Sequence, residues 1–466
     1  MHSSRLYQAY QALGLSEKKQ FARWIDSPFF CRQEATKRLF RYLSAHTPVY
    51  EEAYVAVFGQ EGSFESQSAA LRLVMSDLMD QLERFLVYQE KFGSERTDYF
   101  ILLAAAYRKK GLEKHFRQSL HQARSKLEKQ VFRHSEYFET QAQIEFEDYK
   151  NMSTGRRTEK LNVQALSDQS DIAFIAGKLR QACIAISHQT VYKATYDYGL
   201  LYPILEYLKK TPHLLEIPAI GLYYYCFLFL SDIENEGPFL QFKVILLEKG
   251  AQFPEEEQRN LYLLAINYCV RKINQLKSAY YKETLDLYKS ALQGHLLMEN
   301  GVLSHFAFNN IVAIALRIHE TAWVQTFIPE YAPFLEKKYR DATSHLNLAR
   351  LAYVKKQYRE ALLHLQEADY KDLINNLIAK TLMMKVYYET DELEALHTHL
   401  QSMKTFIRRQ SGIGYHRSNY NNIIRYTERM MDLRRGDKKA VLELRTKIEA
   451  EPVLTEKEWF LEQLSH

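Results

Sequence analysis

Among side chains that can do chemistry, histidine and cysteine rank first, and in this chain neither type is spaced to do it. His397-x-His399 projects onto different faces of a helix, and Glu360 with His364 is a single i,i+4 pair. There is no HExxH and no pair of Glu-x-x-His motifs of the kind that builds a di-metal site in a bundle, so no metal site is expected. Cys31, Cys183, Cys226 and Cys269 are too few and too dispersed for a disulfide framework or a zinc knuckle. Each sits in an apolar stretch and reads as a small buried hydrophobe rather than a nucleophile. P-loop, GxGxxG and GxSxG motifs are missing, and Gly412-Ile413-Gly414 is too short to cradle a phosphate. The expectation is a protein without catalytic residues and without cofactors.

The remaining chemistry is that of binding. Asn267, Arg271, Asn310, Asn347 and Arg350 fall on the first helices of successive repeat units, which in a solenoid line the concave groove, where side-chain amides can grip an extended peptide backbone. Hydrogen bonds between helices are the alternative use of the same side chains. Two basic clusters offer a different ligand. Residues 404–439 hold ten Lys/Arg, among them Arg417, Arg425 and Arg429, against Glu428, Asp432 and Asp437, interleaved with Tyr415, Tyr420 and Tyr426. Residues 108–133 hold nine Lys/Arg against Glu113 and Glu128. Such patches can meet nucleic-acid phosphates with tyrosines stacking on bases, or they can simply be solvated helix faces.

The elements that must carry these residues are helices. In 466 residues, 46% hydrophobic and 26% charged, there are only 16 Gly and 10 Pro, which suits long helices and short joins better than turn-rich sheets. The abundant Tyr (33) and Phe (25) read as packing between helices. The N-terminus leads into an amphipathic pattern with no signal-peptide core, and the greasiest run, Ile217 to Leu230, is too short to span a bilayer. It reads as a buried helix. A cytoplasmic protein without membrane insertion is expected.

Residues 1–95 read as an N-terminal helical domain. Phe21, Trp24 and Ile25 end at Ser27-Pro28, Leu39, Phe40 and Leu43 face inward, and Leu71 to Leu86 repeat at three–four spacing behind an N-cap at Ser66 or Ser68. A winged-helix variant with a hairpin near residues 47–57 is the alternative. Residues 96–150 read as a helical hairpin region, in which Ala106 to Gly111 matches the turn chemistry of Ala352 to Gln357. Residues 151–170, with Gly155-Arg156-Arg157, read as a polar loop. From 171 to 466 the chain repeats. Cys183, Cys226 and Cys269 are spaced 43 apart. Trp323, Tyr358 and Glu392 then open similar segments 35 and 34 residues apart. Gly436-Asp437 opens a further segment, and Glu456 to Phe460 reads as a capping helix.

Residues 342–375 resemble a tetratricopeptide repeat. Ala349, Ala361 and Ala368 occupy its small positions, Leu348 and Leu365 its large apolar ones, and Tyr358 begins its second helix. His345 stands at the family's tryptophan position and the terminal proline is missing. The whole chain is similar to helical-repeat proteins of bacteria, a likeness that implies no activity. The resemblance implies an all-α protein with an α/α superhelix, a solenoid of seven to nine helix pairs, behind the N-terminal domain. It does not carry over the family's carboxylate clamp, because Leu346 and Arg350 stand where the clamp wants lysine and asparagine. The function expected is a non-catalytic interaction scaffold binding a protein or peptide in a concave groove. The alternative is a nucleic-acid-associated regulator using the two basic patches. Oligomeric state is open.

Overall fold

The computed structural model describes residues 3–59, 64–92, 97–154, 160–192, 194–275, 277–367, 372–410, 414, 416–433 and 437–465. Among them the chain is all-α, apart from one small hairpin. It divides into two compact units, residues 1–180 with 200–220, and residues 181–199 with 221–466.

The first unit opens with α1 (Arg5–Ala12), α2 (Leu15–Asp26), α3 (Glu34–Ala45), α4 (Tyr50–Phe58) and α5 (Phe64–Phe92). Their apolar stripes close one core, in which Phe21, Ile25, Leu39, Leu43, Leu71, Leu78 and Leu82 are buried. Three–four spacing puts those residues on one face of each helix, and burying that face is what stabilises helices too short to persist alone. The segment considered for a winged-helix hairpin is α4, whose Ala53 and Val57 are buried one helical turn apart. α5 already starts at Phe64, so Ser66 and Ser68 lie inside the helix and do not cap it.

The first unit continues with α6 (Thr97–Lys109), α7 (Glu113–Glu128) and α8 (Ser135–Met152), which pack around Ile101, Phe116, Leu120 and Ile144. The long α9 (Val163–Tyr192) begins inside the stretch expected to be loop, so the polar join is shorter than its composition implies. Gly155-Arg156-Arg157 lies outside the described residues. α10 (Leu201–Lys210) ends this unit's helices.

The second unit contains α11 (Pro218–Ser231), α12 (Gly237–Lys249), α13 (Glu255–Asn274), α14 (Ala279–Gln293), α15 (His305–Arg317), α16 (Thr321–Tyr331), α17 (Lys337–Val354), α18 (Tyr358–Glu367), α19 (Leu373–Glu389), α20 (Leu393–Arg409), α21 (His416–Met431), α22 (Lys438–Ala450) and α23 (Lys457–Gln463). α11 is the greasy run, with Leu222, Cys226 and Phe229 all fully buried. From α13 to α21 each helix packs on its neighbour in the chain, as α22 does on α23, and α17 also touches α15 and α19. Small residues allow this close approach: Ala349, Ala352 and Ala361 are buried at the crossings, beside Leu346, Leu365 and Val386. Leu348, expected as a core position, is only half-buried, and Leu346 takes that place. Ala368 lies outside the described residues.

One turn is used repeatedly. After α6, α15, α17 and α19 the chain passes through a left-handed residue, at Gly111, His319, Lys356 and Asp391. In each case the next amide reaches back five residues: Leu112 N to Tyr107 O at 3.0 Å, Glu320 N to Ala315 O at 3.0 Å, Gln357 N to Ala352 O and Glu392 N to Tyr387 O, both at 2.9 Å. This is the Schellman closure, which satisfies carbonyls that a helix end would otherwise leave unpaired. The likeness between residues 106–111 and 352–357 therefore reflects one backbone geometry.

The hairpin pairs β1 (Met298–Glu299) with β2 (Val302–Leu303) around Asn300-Gly301. Both turn residues have positive φ, the Asn-Gly signature of a tight two-residue turn. Arg259 on α13 holds it, donating to Leu296 O at 2.6 Å and Met298 O at 2.9 Å. Among the described residues no helix is long and apolar enough to cross a membrane.

Candidate functional site

α19 presents Lys385 and Glu389 one turn apart, and their partners come from distant parts of the second unit. Glu389 Oε1 accepts from the indole Nε1 of Trp459 at 2.7 Å, and Oε2 accepts from the Tyr358 hydroxyl at 2.7 Å. The Tyr353 hydroxyl also donates to Oε1. Burial, and then the adjacent carboxylate, pushes the Tyr358 phenol up to about 12 and the Tyr353 phenol higher still. Both phenols therefore stay protonated and act as donors.

α23 lies against this group. Glu456, just before it, pairs with Lys385, and Glu458 pairs with Arg317 at the end of α15. The Trp459 ring stands edge-on to Tyr388 at 5.5 Å, with the Lys385 ammonium 5.5 Å from its centroid. Trp459 and Phe460 are both buried, joining the core of Tyr420, Ile424 and Tyr426. α23 thus packs on α21 and α22 and also reaches back to α15. Beside it runs a cleft of about 750 Å³, lined among others by Tyr281, Ile314, Arg317, Arg350, Tyr353 and Lys385. Burying a tryptophan is worth roughly 3 kcal/mol, so the indole anchors the segment and the ion pairs set its register.

The residues expected to bind a ligand divide. Asn267 on α13 and Asn310 on α15 are exposed, and Arg271 is half-buried. Asn310 lies beside Tyr288, whose phenol burial pushes up to about 12 while Asn310 offsets part of the rise. Asn347 is fully buried and presents nothing to a ligand. Its Nδ2 donates to Asn309 Oδ1 at 2.6 Å and to Thr343 O at 2.8 Å, and Asn309 Nδ2 donates onward to Asn375 Oδ1 at 2.9 Å. An amide ladder thus crosses α15, α17 and α19. Arg350 closes it, reaching Asn309 O and Asn347 Oδ1, both at 3.1 Å, while also lining the cleft. The expected binding amide is an internal tie because a buried amide must find partners and three such amides are in register.

Part of each basic cluster is engaged by carboxylates. Arg124 meets Glu145 at 3.0 Å and Asp148 at 2.6 Å, Arg108 meets Glu147 at 3.2 Å, and Arg117 meets Glu113 at 2.6 Å. Lys404 pairs with Glu428 at 2.5 Å and Arg425 with Glu451 at 2.7 Å. Arg417 donates to Gln410 O at 2.5 Å, and Arg429 faces the Tyr426 ring at 6.0 Å. Arg434, Arg435 and Tyr415 lie outside the described residues.

Sequence reasoning missed Arg317, Lys385 and Glu389, because their partners are 31 to 141 positions away and no local pattern marks them. It also missed the contact of His345 with His364 and Glu367. One clue was visible, a scarce tryptophan set between Glu456, Glu458 and Phe460. No family model matches the chain, and no curated protein and no solved structure matches it significantly.

Proposed function

We propose that the helix pairs from α11/α12 to α21/α22 stack as an α/α superhelix, and that the protein is a non-catalytic interaction scaffold. Its ligand is a helical protein segment that carries adjacent aromatic side chains between glutamates. The observation that supports this most directly is the seating of α23. Arg317, Lys385 and Glu389 receive Glu458, Glu456 and Trp459. α23 acts as a resident of the groove, and a partner helix of the same chemistry displaces it and extends into the cleft alongside. Helix-in-groove recognition of this kind takes its affinity from a few buried anchors and its orientation from flanking charges.

The state of the charged groups favours a scaffold over a catalyst. Arg317, Lys385, Glu389 and Arg350 are each held by another protein group, whereas an acid or base at work needs a proton to move. Carboxylates already hold Arg108, Arg117, Arg124, Lys404 and Arg425, which leaves less of each basic cluster for phosphates and favours a protein ligand over nucleic acid. Four free, buried cysteines accord with a reducing, cytoplasmic setting.

The test is a labelled peptide with the sequence of residues 453–465, offered to the chain carrying Glu456→Lys and Glu458→Arg. With Trp459→Ala added, which removes the anchor as well as the ion pairs, α23 is expected to leave, and the peptide to bind the opened groove but not the parent chain. Arg317→Glu added to the opened variant should abolish binding. An opened chain that keeps its helical signal yet ignores the peptide overturns the proposal.

A further inference from the structure

α17 and α18 form the unit that resembles a tetratricopeptide repeat, and their facing sides carry a group that takes no part in the cleft. His345 on α17 and His364 on α18 bring their Nδ1 atoms to 3.3 Å. Glu367, one turn beyond His364, places Oε2 3.4 Å from His345 Nδ1 and 3.9 Å from His364 Nδ1. All three ligand atoms lie within 4.8 Å of one another. Glu360, one turn before His364, stands 4.0 Å from the other ring nitrogen, Nε2.

Hydrogen bonding alone serves this arrangement poorly. Two neutral imidazoles meeting through Nδ1 share a single proton, and Glu367 can then only accept. A divalent cation satisfies all three lone pairs together. Zinc bonds of 2.0–2.1 Å in a tetrahedron place neighbouring ligand atoms about 3.3 Å apart. Two of the three edges, at 3.3 and 3.4 Å, match the tetrahedron. The third needs a small rotation of Glu367, whose side chain is 48% exposed, while the rings, 30% and 19% exposed, are held by the helices.

We infer that His345, His364 and Glu367 form a zinc-class divalent cation site that ties α17 to α18. Three protein ligands leave a fourth position for a solvent molecule, unlike the four of a closed structural site. Glu360 stands 4.0 Å from His364 Nε2, beyond hydrogen-bond distance, and is not counted among the ligands. No short motif announces the site, because its ligands lie on two helices brought together by the turn at Lys356.

The experiment uses the full chain, stripped with chelator and titrated with Co²⁺ and then Zn²⁺. One Co²⁺ per chain is expected, with the intense visible bands of a tetrahedral centre, displaced by Zn²⁺. His345→Gln and His364→Gln, each removing a ligand, should weaken uptake by more than the roughly hundredfold that loss of an outer-shell partner can cost. Glu367→Gln changes an exposed side chain and leaves folding unthreatened, so it decides the matter if a histidine variant fails to fold. Absence of stoichiometric uptake overturns the assignment, and so does uptake unchanged by Glu367→Gln.

Discussion

Trp459 on α23 donates its indole proton to Glu389 on α19 across 2.7 Å, a bond spanning 70 positions of the chain. The same carboxylate takes two tyrosine hydroxyls, from Tyr353 on α17 and Tyr358 on α18. Four helices thus meet at one acidic group, and removing it leaves three donors in a half-buried place.

Glu389→Ala should therefore destabilise the protein by about 2–4 kcal/mol, since each orphaned donor carries a desolvation cost. Glu389→Gln keeps one acceptor oxygen and should lose roughly half as much. Urea unfolding of both variants, followed by tryptophan fluorescence and by circular dichroism, measures the difference. Equal losses would show that the hydrogen bonds to Glu389 contribute little beyond packing.

Asn347 is the next element to test, because its burial reverses the role its sequence position implies. Asn347→Ala removes the donor to Asn309 and the acceptor of Arg350. A loss of about 2–3 kcal/mol is expected, against near-neutrality for an amide at a ligand-facing surface. Asn267→Ala, at an exposed position, is the matched control and should stay within about 0.5 kcal/mol of the parent.

The Schellman turns predict a gain. Lys356 and Asp391 adopt φ of 60° and 57°, a conformation that costs an L-residue roughly 1–2 kcal/mol and glycine almost nothing. After the extra unfolded-state entropy of glycine is subtracted, Lys356→Gly and Asp391→Gly should each stabilise by about 0.5–1 kcal/mol. Thermal midpoints of the singles and the double, which should be additive, test this.

Acid should weaken the second unit at a definable place. Lys272, with a side chain 1% exposed, meets Glu236 Oε1 at 3.0 Å over the rings of Tyr268 and Tyr280. The hydrogen bond from Lys272 holds the Glu236 carboxyl below its usual 4.5, against a smaller opposing effect of burial. A depressed folded value means that the stabilisation is complete above the unfolded value and is lost as pH falls through the folded one. Stability should thus decline below pH 4.5, and Glu236→Gln should flatten that limb while lowering stability at neutral pH. A variant with an unchanged acid limb would assign the decline to other carboxylates.

Much of the architecture was legible from local pattern. Three–four spacing in α2, α3 and α5 marked helices and their buried faces, because the side that an amphipathic helix buries is written in its own residues. The repeat spacing of Trp323, Tyr358 and Glu392 located the starts of α16, α18 and α20 to within two residues. The Asn300-Gly301 hairpin was also there to be read, but four strand residues are too few for any alternation to stand out.

What residues do to one another across the fold was decided only by tertiary structure. Asn347 and Asn310 look equivalent in sequence, yet one is sealed in a ladder and the other faces solvent. The deciding partner was Asn309, one position from the asparagine that the spacing picked out, and a one-residue step turns a helical side chain by about 100°. Likewise Glu389 gathers Trp459, Tyr353 and Tyr358, and His345 meets His364 and Glu367, through helices packed side by side. Periodicity records which face of a helix is buried. It does not record which face of which other helix lies opposite, and the chemistry of the cleft and of the histidine pair depends on that.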